Sequence, residues 1–116
     1  MPVAFRGEGE VLDADGVAAA CDMLGVRAAE LWAVLTVETR GCGYLADRRP
    51  LILFERHYFT GLTKRRFDAK YPDVSNPQWG GYVGGPREYA RLARAIKLDR
   101  AAALRSASWG LGQVMG

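Results

Sequence analysis

Polar and apolar positions alternate on more than one period along the 116 residues. Up to about Asp13 no period is sustained, and the stretch reads as extended chain or loop. Asp13 or Asp15 can cap a short amphipathic helix that runs through Leu24 and stops at Gly25, because a carboxylate accepts from the first free amides and glycine takes the left-handed exit. From Ala28 to Thr39 the apolar residues Leu31, Trp32, Val34, Leu35 and Val37 predict a second helix, buried on much of its circumference and ended by Gly41 and Gly43. On that wheel Glu38 joins the stripe of Leu31, Val34 and Leu35, at offsets of seven, four and three residues. A carboxylate thus lies on an apolar helix face, close to the helix C-terminus.

Asp47-Arg48-Arg49-Pro50 predicts a turn, and Leu51-Ile52-Leu53-Phe54 a short strand. Continued at period two, Leu51, Leu53, Glu55 and His57 share one side, and Ile52, Phe54 and Arg56 the other. Four apolar residues also fit the start of a buried helix. Residues 60–86 are polar, aromatic and broken by Tyr71-Pro72, Asn76-Pro77, Trp79-Gly80-Gly81 and Gly84-Gly85-Pro86, which predicts a long loop of the functional or mobile kind. Helices return over residues 88–96 and 99–107, with Pro86 near the first start and Asp99 as a cap. There is no internal repeat and no low-complexity linker.

The length fits one domain, residues 1–116, and alanine clusters at 18–20, 28–29 and 101–103 lean it towards helix. A net charge of +3 and a pI near 9.1 favour anionic partners, with nucleic acid, acidic lipid and bacterial cell wall all eligible. Cys21 and Cys42 are too few for a disulfide framework and are expected as free thiols, with a single bridge between them the alternative in an oxidising compartment. No window reaches the ~18 apolar residues of a membrane span, so no stable membrane insertion is expected. The N-terminal residues have no apolar signal-peptide core, which implies synthesis in the cytoplasm and release by some other agent.

Glycoside hydrolysis needs a carboxylic acid kept protonated near neutral pH, usually beside a second carboxylate. Burial on an apolar stripe and the negative end of the helix dipole both push the carboxyl of Glu38 in that direction. The structural alternative is an ion pair with Arg40 or Arg56. His57 is the only histidine, and no cluster with metal-ligand spacing surrounds it, so neither metal nor cofactor is expected. A serine or cysteine nucleophile would have that one histidine as its base. Lys64-Arg65-Arg66 reads as a solvated face, or as attraction to an anionic wall, and it lacks the interleaved aromatics of a nucleic-acid surface.

The string Leu35-Thr36-Val37-Glu38-Thr39-Arg40-Gly41-Cys42-Gly43-Tyr44-Leu45, followed by Arg49-Pro50-Leu51-Ile52-Leu53-Phe54-Glu55-Arg56-His57-Tyr58-Phe59, resembles the N-acetylmuramidase family of bacteriophage endolysins. Glu88-Tyr89-Ala90-Arg91-Leu92, Leu98-Asp99 and Ser106-Ala107-Ser108-Trp109-Gly110-Leu111-Gly112-Gln113-Val114-Met115-Gly116 continue the likeness in the same order. It implies a mainly α, lysozyme-like α+β domain with a short strand or hairpin and a long central loop. The activity it implies is cleavage of the β-1,4 bond between N-acetylmuramic acid and N-acetylglucosamine in peptidoglycan, on the cell-wall side of the membrane. By motif Glu38 takes the place of the catalytic glutamate. Glu55 takes that of the Phe-Glu-Arg-His glutamate, acting as second carboxylate or holding Arg56 and His57 by hydrogen bonds.

For substrate binding the candidates are His57, Tyr89, Ser108, Trp109 and Gln113. The Trp109 ring offers a sugar platform and Gln113 both donor and acceptor, while Tyr89 and Trp109 are also natural core residues. Members of the family usually continue with further helices. Their absence here would leave Leu92, Ile96, Leu104, Leu111 and Val114 as a contiguous apolar patch and favour self-association. A lytic transglycosylase shares the fold and a Gly-Leu-x-Gln-x-Met motif, and is the nearest rival. A non-catalytic wall-binding module is the rival from another class.

Overall fold

The computed structural model describes residues 5–7, 13–39, 43–110 and 113–116, with residues 35–39 described through the backbone alone. The chain divides into two units, Met1–Leu51 with Gly110–Gly112, and Ile52–Trp109 with Gln113–Gly116.

In the first unit, α1 spans Ala14–Leu24, with the Asp13 carboxylate accepting from the Gly16 amide at 2.7 Å and Gly25 leaving the helix at φ +66°. Helix α2 spans Ala28–Thr39. The two helices pack on each other, and such a layer covers only the seam between them. Met23, Leu24, Trp32 and Val34 stay exposed, so the described part of α2 is not buried on most of its circumference as its composition suggests. The turn expected at residues 47–50 forms: Leu45 N donates to Arg49 O at 2.8 Å, the Asp47 carboxylate accepts from Arg49 N and Nε, and Tyr44 bridges Pro50. Cys21 is a free, half-buried thiol, whereas Cys42 lies outside the described residues.

The second unit holds β1 (Ile52–Phe54), α3 (Arg56–Leu62), α4 (Arg87–Leu98), α5 (Arg100–Arg105), β2 (Ala107–Trp109) and β3 (Val114–Met115). The strands form one antiparallel sheet in the order β1-β2-β3, pairing Leu53 with Ser108, Phe54 with Ala107, and Ser108 with Met115. Ile52 and Phe54 share a side, as the period-two pattern predicts, and that side faces the core together with Phe59, Val74, Leu92, Ala95 and Ala103. The strand does not continue to His57. After Phe54 one extended residue, Glu55, precedes α3, which also takes Thr60 to Leu62 out of the predicted loop. Phe59 and Thr60 are buried on α3, and helical spacing rather than alternation brings them inward.

Helix α4 is longer than predicted at both ends. Its buried face carries Glu88, Tyr89, Arg91, Leu92 and Ala95, near-helical spacings that include an ion pair of Glu88 with Arg91. Asp99 caps α5 by accepting from the Ala102 amide at 3.0 Å, as its position predicts. Ala107, predicted as helix, instead opens β2. Among the described residues of the expected apolar patch, no contiguous exposed surface forms. Leu92 is fully buried where α4 packs against α5 and β1, Ile96 and Leu104 are half-buried, and Val114 alone of the described four is exposed, at 69%. Leu111 lies outside the described residues.

Between α3 and α4 the chain is held by polar bonds rather than by regular structure. Asp68 accepts from the hydroxyls of Thr60 and Ser75 and from Arg65 Nε, and Asp73 pairs with Arg94. Phe67 stacks on Phe59 at 6.0 Å and meets Tyr71 edge-on. Among the described residues no helix is long and apolar enough to cross a membrane.

Candidate active site

Glu55 occupies the joint between β1 and α3, and its backbone is fixed on both sides. Its N–H donates to Ser106 O at 2.7 Å, while its carbonyl accepts from Tyr58 N and Phe59 N. A residue at a helix N-cap commonly turns its side chain onto the free amides, but the carboxylate of Glu55 makes no such bond. Its Oε2 instead accepts from the Tyr82 hydroxyl, and His57 Nδ1 stands 3.6 Å away. The carboxylate keeps 13% of its side-chain surface open to solvent.

That His57 nitrogen is buried and has no hydrogen-bond partner within normal distance. The Glu55 oxygen is a polar neighbour at 3.6 Å, so a proton on Nδ1 would face a carboxylate. The imidazole lies beside the Tyr58 ring, with centroids 4.7 Å apart. At 3.6 Å the imidazole stands beside the Glu55 carboxylate, beyond hydrogen-bond distance.

Burial, and next the Glu55 carboxylate itself, drive the ionisation of the Tyr82 phenol far above the ordinary tyrosine range. Tyr82 therefore stays a neutral donor at any working pH. Its ring receives Trp79 edge-on, at 5.5 Å and 82°, and Trp79 is 73% exposed. The segment bearing both aromatics is tied to α3: Arg56 Nε donates to Gln78 O at 3.0 Å, Gln78 N to Asn76 Oδ1 at 2.9 Å, and Asn76 N to Arg56 O at 3.3 Å. Gly81, at φ +74°, passes so close to Arg56 that a Cβ would meet its guanidinium at 2.8 Å. Neither Tyr82 nor Trp79 is singled out by the sequence. The signal present was their interleaving with the glycines of Trp79-Gly80-Gly81-Tyr82.

The closing residues meet Glu55 through the sheet. Leu53 pairs with Ser108, and cross-strand partners share a face, so Leu53, Ser108 and the extended Glu55 lie on one side. Ser108 Oγ lies 2.9 Å from Gln113 Oε1, to which it donates, and Gln113 itself adopts a positive φ. Trp109 is half-buried, and its indole N–H donates to Leu104 O at 3.4 Å. Tyr89 is buried at 6% exposure on the inner side of α4.

Glu38 lies in the last turn of α2, at the helix end where its position in the sequence puts it, and its side chain is outside the described residues. Among the described residues no group of three or more His, Cys, Asp or Glu side chains is arranged to hold a metal ion.

Residues 27–116 match the family Muramidase, described as N-acetylmuramidase. A crystal structure of an endolysin from Burkholderia AP3 phage is similar to this chain, with a TM-score of 0.79 and 42% sequence identity over 95% of this chain. The match spans 43% of that endolysin's chain. No curated protein matches significantly.

Proposed function

The chain belongs to the N-acetylmuramidase family, and from that membership we propose that it hydrolyses peptidoglycan at the β-1,4 bond between N-acetylmuramic acid and N-acetylglucosamine, using paired carboxylates. One observation carries the reading: the family match takes in both Glu38 and Glu55, and Glu55 is held with its carboxylate withdrawn from capping and gripped by a neutral phenol.

In this mechanism Glu38 gives its proton to the glycosidic oxygen as the bond to the anomeric carbon breaks. Water adds to that carbon and yields its proton to Glu55, and solvent exchange resets both carboxyl groups. Tyr82 fixes the Oε2 of Glu55, which leaves the other carboxylate oxygen as the base. His57, 3.6 Å from the same Oε2, limits its rotation. The exposed ring of Trp79 supplies a platform for a pyranose ring, with Trp109, Ser108 and Gln113 as the further substrate-binding residues.

The likeness to a phage endolysin fits a protein made inside the host and acting on its wall. The net +3 charge assists approach to an anionic polymer in a salt-dependent way. No cofactor enters the scheme.

Digestion of purified peptidoglycan followed by mass spectrometry tests it. Reducing N-acetylmuramic acid ends are the expected product. A 1,6-anhydro end would assign a lytic transglycosylase, and undigested glycan with bound protein would assign a binding module.

A further inference from the structure

We propose that the buried Glu88–Arg91 pair of α4 is a positioning device for the Glu55–Tyr82 pair, one carboxylate clamping together the two chain segments that carry them. The role assigned to Glu55 in hydrolysis is taken from the reading above; the clamp itself rests on geometry.

Glu88 is fully buried, as is Arg91 at 1% exposure. One oxygen of Glu88 accepts from Phe54 N at 2.8 Å, the residue immediately before Glu55. The other accepts from Val83 N at 2.8 Å and Gly84 N at 3.2 Å, the residues immediately after Tyr82. The fork of the carboxylate thus fixes the separation of two backbone points, and each lies next to a member of the Glu55–Tyr82 pair. Arg91 completes the clamp. Its Nη1 donates to Glu88 Oε1 and to Phe54 O, both at 3.0 Å, and its Nη2 and Nε donate to Asp73 O at 2.7 and 3.2 Å. The guanidinium also lies over the Phe54 ring, 5.4 Å from its centroid.

β1 is an edge strand. Glu88 and Arg91 take the N–H and C=O that Phe54 turns away from β2, doing there what a further strand would do. Stability alone does not require an ion pair here, because well-packed apolar residues of similar volume commonly serve as well or better. An apolar pair has no direction, however, and cannot set the spacing of Phe54 N from Val83 N. Among the described residues Glu88 is the only side chain that bonds directly to both flanks of the Glu55–Tyr82 contact.

The test uses the full chain labelled with 3-fluorotyrosine, with the Tyr82 ¹⁹F resonance assigned by its loss in Tyr82→Phe. In Glu88→Gln one acceptor becomes a donor, so both segments can no longer be held. The expected result is a folded protein in which the Tyr82 resonance moves, kcat falls about tenfold, KM changes little, and Glu88→Gln costs nothing further in a Tyr82→Phe background. An unmoved Tyr82 resonance in folded Glu88→Gln, or kcat losses that multiply in the double variant, would overturn the proposal. Should Glu88→Gln fail to fold, amide exchange in the wild type decides: slow exchange at Val83 and Gly84 supports the clamp, and exchange as fast as in free loops overturns it. If Glu55→Gln keeps full activity while the Tyr82 resonance still moves in Glu88→Gln, the clamp stands and the catalytic reading of Glu55 falls.

Discussion

Tyr82 donates its hydroxyl to Oε2 of Glu55 across 27 residues of sequence, joining the central loop to the end of β1. A hydrogen bond to a charged group is worth about 1.5–3 kcal/mol, and in the proposed mechanism it orients the Glu55 carboxylate. Tyr82→Phe is expected to lower kcat on peptidoglycan by about tenfold with the fold retained, as checked by turnover and circular dichroism on the same preparation. Unchanged turnover would remove Tyr82 from the mechanism.

Trp79 makes its edge contact with Tyr82 while exposing most of its surface. A side chain that binds glycan equally in ground and transition states changes KM and leaves kcat alone. Trp79→Ala should therefore raise KM several-fold at nearly constant kcat. A fall in kcat with constant KM would instead make Trp79 a support for Tyr82.

Gly81 combines a left-handed φ with contact against Arg56. A non-glycine residue there stores about 1–3 kcal/mol of strain and also displaces the guanidinium that anchors Gln78. Gly81→Ala should lower the melting temperature by several degrees, whereas Gly61→Ala, at a helical glycine with open space around its Cβ, should not. Equal melting temperatures for the two variants would contradict this view of the loop.

Much of this architecture is legible from local chemistry. Asp13, Gly25 and Asp99 mark helix ends because capping depends on one or two neighbouring residues. Period two puts Ile52 and Phe54 on one side of β1 for the same reason, while the fold decides that this side is the inner one. What the sequence hides is long-range. Nothing local distinguishes Glu88 from an exposed first-turn glutamate, and its burial depends on amides at Phe54, Val83 and Gly84 that only the fold assembles. Tyr82 escapes notice likewise, because its partner is far along the chain. The proposed site is drawn by motif at Glu38 and Glu55, and Tyr82 joins it only through the geometry of the fold.

Asp68 accepts hydrogen bonds chiefly from Ser75 and Thr60, with Arg65 adding a further bond, and these hold its carboxyl below the ordinary value of 3.8. A depressed folded-state value means that the stabilisation is complete above the unfolded value and is lost as pH falls through the folded one. Thermal melts should therefore show wild type losing stability below about pH 4 more steeply than Asp68→Asn. Parallel curves for the two proteins would show that Asp68 contributes nothing to acid sensitivity.

Glu38 is the proposed general acid of a peptidoglycan hydrolase. Turnover of purified peptidoglycan by Glu38→Gln, measured beside wild type together with sedimentation of each protein with the insoluble wall, tests it most directly. The expected result is loss of at least about a hundredfold in turnover, the lower scale of general acid catalysis, with wall binding unchanged. Wild-type turnover in Glu38→Gln would contradict the account.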